Sequence, residues 1–266
     1  MSGNTFVSSR LEIIENRFNE IDTLLDLAKK NISNNSIYSS LCRSAHVLLV
    51  SHVEGIYKDI VRDIIDDLNR NTVYIEIKDS IFRTHSAHFI LNNENDKAAE
   101  TIKNRLWYAL KNHKTELILE PFLRVDNKNP TPKILEEILK KFGQDIFFDS
   151  LINSRLEVVF ENNTKNSEKE LQRIKKYLIS GVKEFPYTVD KSYFYNFSPP
   201  KLAKGQKGLF EEFLNDFLND RHNIIHGQTL NYKKNHIEIA DSKIKIEILI
   251  FAFIINLCHL SNPIIS

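Results

Sequence analysis

Cysteine, glycine and proline are scarce in this chain of 266 residues, and each shortage excludes a class of structure. The two cysteines, Cys42 and Cys258, each lie in an apolar helical pattern, so neither a disulfide framework nor a cysteine zinc site is expected. Seven glycines and seven prolines are too few for a turn-rich β architecture. Helices are therefore expected to dominate, in a protein of a reducing cytoplasm.

An excess of charge of either sign is also missing. Lysine and arginine total 36 against 35 acidic residues, so any nucleic-acid surface must come from local clustering. The first residues lack the basic and apolar regions of a secretory signal, and the apolar run at 249–260 is too short to span a bilayer. We expect a soluble, cytoplasmic protein that makes no membrane contact.

The first half of the chain carries two helical patterns. Ser9 and Glu12 form a capping-box pair, after which apolar residues recur at helical spacing until the helix is expected to end near Asn31. A longer apolar stripe predicts a second helix of about thirty residues from about Tyr38.

Later segments add shorter elements. Residues 73–96 look mostly like a connection, whereas Thr131, Pro132 and Gly143 mark the two ends of a short amphipathic helix. A nearly all-apolar helix is predicted over residues 241–260. The fold class that follows is all-α, an antiparallel helical bundle in a single domain over residues 1–266.

A basic, aromatic-rich segment at about 161–207 is predicted as a long insertion before the last two helices. From 165 to 207 it holds ten lysines and arginines against four acids, and six aromatic residues lie between 185 and 197. Such a composition suits single-stranded RNA, for which the candidate contacts are Lys175, Lys176, Lys201 and Lys204. The favoured interpretation is that the aromatic residues pack on the core and the lysines are solvated.

Arg221 lies on the apolar face of the helix predicted from about Leu209, an unusual position for a charged residue. At 100° per residue it lies about 20° from Leu214 and about 40° from Phe217, so its guanidinium points toward the packed side. Arginine is rarely buried without a partner or a task. A structural ion pair is the alternative to a functional role, with Glu54 on the second helix as a candidate partner.

Two histidines follow on the same helix. His222 and His226 are four residues apart and share one face, and Gly227 is expected to end the helix so that the His226 ring reaches solvent. The spacing would also suit zinc, but Asn223 stands where a zincin carries glutamate, and no third ligand is evident. A histidine that caps the helix dipole is a further interpretation.

Arg221, His222 and His226, followed by Gly227, match the R-[N/H/D]-x-x-x-H signature, and the chain is therefore identified as resembling the HEPN superfamily. The stretch RSAHVLLVSHVEGI at 43–56 resembles the early helix of HEPN proteins from prokaryotic defence and toxin systems. The resemblance covers residues 10–68 and 132–260, and the basic, aromatic segment is a departure from it.

The resemblance implies a metal-independent endoribonuclease, without a cofactor, that leaves a 2′,3′-cyclic phosphate. It implies a homodimer in which Arg221 and His226 of both chains face one cleft, with His222 or Asn223 orienting them. A toxin or phage-defence role would add an antitoxin or another defence protein as partner, although Gln228 replaces the tyrosine that links some family toxins to a nucleotidyltransferase. The alternatives are a non-catalytic HEPN module that binds RNA or protein, and a zinc hydrolase.

Overall fold

The computed structural model describes residues 4–89, 96–110, 116–123, 129–144, 146–203, 205–226 and 234–263. Within these ranges the protein is all-helical and contains no strand, as the sequence predicts. The α-helices are α1 (Phe6–Lys30), α2 (Asn35–Asn71), α3 (Asp79–Phe89), α4 (Asp96–Leu110), α5 (Pro132–Lys141), α6 (Phe147–Leu151), α7 (Thr164–Gly181), α8 (Leu209–Ile225) and α9 (His236–Ser261). Short 3-10 helices occupy Tyr74–Glu76, Arg155–Phe160 and Lys191–Tyr193.

The first helix begins one turn earlier than the sequence predicts. Thr5, rather than Ser9, is the N-cap of α1, and its side chain accepts the backbone N–H of Ser8 at 2.9 Å. The buried Asp67 carboxylate accepts the N–H groups of Phe6 and Val7, at 2.9 and 3.2 Å. These acceptors satisfy the donors of the first helical turn, so the Ser9 capping box is not needed.

The core is built around α9, which packs against α1, α2, α7 and α8. Asn235 and Glu238 form its capping box, so it begins five residues before the predicted start at 241. By length and composition α9 could cross a membrane, but 83% of its most apolar window is buried inside the protein. This burial is what a central core helix shows.

The segment at 73–96 is not mainly a connection, as the sequence suggested, because it contains α3. The buried positions of that helix are Ile81, Phe82, His85 and Ser86, and two of these four are polar, which weakens the apolar pattern. The Tyr74 hydroxyl lies 3.1 Å from Nδ1 of His85. The buried face of α3 is therefore held partly by a hydrogen bond and not by apolar packing alone.

Residues 161–207, predicted as an insertion, contribute a helix to the core. Asn163 caps α7, which packs along α9 and buries Leu171, Ile174 and Leu178. Most aromatic rings of the segment pack inward, as the favoured interpretation had it, whereas Phe197 is 68% exposed. That this segment departs from the HEPN pattern stays a prediction.

Candidate active site

The candidate site lies at the C-terminal end of α8. The buried face of this helix carries Phe210, Leu214, Phe217 and Leu218, which anchor it against α2 and α9. The helix ends at His226, whose backbone N–H donates to the carbonyl of His222 at 3.1 Å. The motif residues thus sit on a rigid element, and the last histidine is at the end of the helix, as the spacing predicts.

Arg221 points toward the packed side of α8 and is partly buried. Its Nη1 donates to Oδ1 of Asn129 at 3.4 Å, and its buried Nε has no hydrogen-bond partner among the described residues. Within the same part of the chain, Arg221 makes no ion pair with a carboxylate. Among the described residues one neutral amide holds the guanidinium, an arrangement that suits an anionic ligand.

Glu54 does not form the predicted pair with Arg221. Its Oε1 lies 2.7 Å from Nζ of Lys58, one turn further along α2. Glu54 pairs with Lys58 because a lysine four residues later on the same helix reaches a glutamate without any constraint from the tertiary fold. The amide that contacts Arg221 comes instead from Asn129, in the segment that leads into α5.

His222 and His226 lie side by side, with ring centroids 4.2 Å apart, and both are exposed. Asn223 is partly buried beside them. No group of three or more His, Cys, Asp or Glu side chains that could hold a metal occurs in the described part of the chain. The two rings can therefore meet a substrate from solvent, as bases or acids.

Sequence reasoning missed His46, which lies on α2 and is fully buried. Its Nε2 is 3.0 Å from the carbonyl oxygen of Phe217, and the two rings lie 4.6 Å apart. Burial lowers the pKa of His46 to about 4, against the opposing effect of the Phe217 carbonyl. The neutral His46 ring therefore donates to the carbonyl of Phe217, four residues before Arg221. This hydrogen bond ties the turn of α8 that precedes Arg221 to α2.

The N-terminal end of α9 adjoins the same site. Lys234, just before α9, pairs with Asp220 on α8, and the Tyr38 hydroxyl lies 3.0 Å from Nδ1 of His236. The flanking isoleucines are among the most exposed apolar side chains of the described protein: Ile37 is 45% exposed, Ile225 48% and Ile237 66%. The end of the bundle that carries the motif therefore presents uncovered apolar surface.

Of the four lysines predicted to contact RNA, the three that the structure describes are not gathered at the motif. Lys175 lies on α7 and pairs with Glu15 on α1, and Lys176 is exposed on α7. Lys201 is exposed in the loop before α8. Lys204, like Gly227 and Gln228, lies outside the described residues.

A family model described as RiboL-PSP-HEPN matches residues 12–259. These bounds enclose α7 and the whole motif at 221–226. Searches of curated proteins and of solved structures found no match.

Proposed function

This chain belongs to the RiboL-PSP-HEPN family, and from that premise we propose that it is a metal-independent endoribonuclease. The observation that carries the proposal is the end of α8. There, the Arg221 guanidinium has no carboxylate partner among the described residues, and two exposed histidines follow it, His222 as the next residue and His226 about one turn further on. A cation beside solvent-facing imidazoles is what cleavage of a phosphodiester requires.

The proposed reaction is attack by the RNA 2′-hydroxyl on its own phosphate. One His226 accepts the proton of the 2′-hydroxyl as the 2′-oxygen bonds to phosphorus, and a second imidazole donates a proton to the 5′-oxygen as its bond to phosphorus breaks. The products are a 2′,3′-cyclic phosphate and a 5′-hydroxyl, and Arg221 stabilises the charge on the non-bridging oxygens. His222 and Asn223 orient these groups.

One chain supplies only part of this arrangement. The attacking and leaving oxygens lie on opposite sides of phosphorus, whereas His222 and His226 approach from one helix face with their rings 4.2 Å apart. A second copy would bring its own His226 to the other side. The exposed Ile225 and Ile237 beside the motif support such a homodimer, because an uncovered apolar patch next to a site favours association.

In the cell, the proposed enzyme acts on RNA in the cytoplasm as a toxin or phage-defence effector. An antitoxin or another defence protein would then hold it inactive until it is needed. The resemblance of residues 43–56 to HEPN proteins of such systems supports this role.

Subunit mixing tests the shared site. Wild-type protein is mixed with His226→Ala at varied ratios and allowed to exchange subunits, and release of cyclic-phosphate ends is measured. If both His226 rings are needed, an equal mixture keeps about one quarter of the wild-type activity, as against about half if each chain works alone. His88→Ala, which removes an exposed histidine on α3, is the matched control and should leave activity unchanged.

Two results would refute parts of the proposal. RNA binding without any cyclic-phosphate product, unaffected by His226→Ala, would establish a non-catalytic module instead. A monomer that is active in solution would refute the shared site but not the ribonuclease activity.

A further inference from the structure

The outer face of α7 carries a row of cations, Lys165, Lys169, Arg173 and Lys176, here called the α7 stripe. All four are exposed, and helical geometry places them within about 80° of one another around the axis. The opposite face of α7 is buried against α9, so the stripe is fixed in orientation. In the described part of the protein, its three lysines form no ion pair.

A buried carboxylate organises the middle of this surface. Glu170 is 5% exposed and binds Arg155 at two points, with Nε 3.0 Å from Oε1 and Nη2 3.1 Å from Oε2. Nη1 of Arg173 lies 3.5 Å from Oε2, and the Tyr193 hydroxyl donates to Oε1 at 3.4 Å. One acid therefore holds two guanidinium groups, whose side chains remain 43% and 53% exposed.

These groups surround an open groove of about 350 Å³. Its lining residues are Arg155, Val158, Asn166, Lys169, Glu170 and Arg173. Three cations face one carboxylate there, which leaves a net positive charge. Because Glu170 engages Nε and Nη2 of Arg155, the N–H groups on Nη1 remain for another acceptor, and a guanidinium fork fits the oxygens of a phosphate.

We propose that the α7 stripe and its groove bind the phosphates of the RNA substrate, independently of base sequence and apart from the motif. The inference rests on the proposed ribonuclease function. A row of cations at steps of three or four residues, about 5 to 6 Å along the helix axis, suits a linear polyanion better than a single small anion.

The groove is also connected to the motif helix. Arg155 begins the short 3-10 helix Arg155–Phe160, and the Phe160 ring at its end lies 4.9 Å from that of Phe210 on α8. The Lys245 ammonium of α9 lies 5.1 Å from the same Phe160 ring. An RNA strand seated in the groove would thus contact the 3-10 helix Arg155–Phe160, which packs against the catalytic helix.

Binding is tested in a His226→Ala background, so that the RNA stays intact. Lys165→Ala/Lys169→Ala removes two cations for which the described structure shows no ion pair, and affinity for a labelled single-stranded oligoribonucleotide is measured over a salt series. We expect affinity to fall about tenfold and the slope of log K against log salt to fall by about 1.4, as for two lost phosphate contacts. Arg62→Ala/Lys183→Ala, which removes two exposed cations elsewhere, should change neither quantity.

Unchanged affinity and slope in a variant with a wild-type melting temperature would overturn the proposal. So would tight binding of inorganic phosphate that displaces the oligoribonucleotide at equal ionic strength, since it would identify a free-phosphate site. In the active protein, the double variant should raise KM for long RNA about tenfold and leave kcat unchanged. Failure of the ribonuclease proposal would appear separately, as wild-type protein that binds RNA by the stripe but does not cleave it.

Discussion

Replacing His46 tests how the motif helix is supported. This histidine is fully buried, its Nε2 lies 3.0 Å from the Phe217 carbonyl, and burial lowers its pKa to about 4 from an ordinary value of 6.5. In the unfolded chain the ring takes up a proton below about pH 6.5, whereas in the folded protein it resists protonation until about pH 4. The stabilisation is therefore complete above pH 6.5 and is lost as the pH falls toward 4.

The size of the effect follows from the two pKa values. At pH 5 the unfolded histidine is almost fully protonated and the folded one is mostly neutral, a difference of about 2 kcal/mol in unfolding free energy relative to pH 7.5. His46→Gln keeps a side-chain N–H donor but removes the titration. The pH-dependent loss of stability between 7.5 and 5 should therefore be about 2 kcal/mol smaller in the variant.

Urea unfolding at both pH values, followed by circular dichroism, measures the difference. Burial also lowers the pKa of His52, His85 and His259, but these residues are present in both proteins and cancel in the comparison. If wild type and His46→Gln lose the same stability between pH 7.5 and 5, then His46 is not held neutral by the fold, and this account of the motif helix is wrong.

Three further substitutions have definite expected outcomes. Arg221→Lys keeps the charge but loses the planar fork, so kcat should fall about a hundredfold with little change in melting temperature. Tyr57→Phe removes a buried hydroxyl that has no hydrogen-bond partner among the described residues, so thermal unfolding should show a gain of about 1 kcal/mol. In Gly181→Ala, the new Cβ would lie 2.3 Å from Cγ1 of Val189, and chemical denaturation should show a loss of about 2 kcal/mol. An unchanged kcat for Arg221→Lys would contradict the role given to the guanidinium. A loss of stability in Tyr57→Phe, or no change of stability in Gly181→Ala, would contradict the surroundings described for those residues.

The parts of the fold that were predictable are those with strong local signals. Thr131 caps α5, Pro132 opens it, and Gly143 follows it with φ +103°, because these three residue types favour those backbone positions by themselves. The start of α1 was only partly predictable in this way: Thr5 is a local N-cap, but the first turn also depends on Asp67 at the far end of α2. α3 was hidden because His85 lies on its buried face.

In the candidate site, too, local signals predicted some features, and those that depend on distant residues were missed. The placement of Arg221 on the packed side and of His226 at the end of the helix follows from 100° per residue and the following glycine. Asn129 and His46, which support α8, are 92 and 171 residues distant from their partners, and no local pattern links them. A histidine within the apolar stripe of α2 was the one available signal for His46, because a buried imidazole needs a hydrogen-bond partner.

Under the proposed function, the end of α8 cleaves RNA without a metal. The most direct measurement is incubation of RNA with wild-type protein and with His226→Ala, both in the presence of a chelator, with the product ends identified by mass spectrometry. If His226 takes part in metal-independent cleavage, 2′,3′-cyclic phosphate ends are expected from the wild type alone. Intact RNA with the wild type, or equal cleavage by His226→Ala, would contradict it.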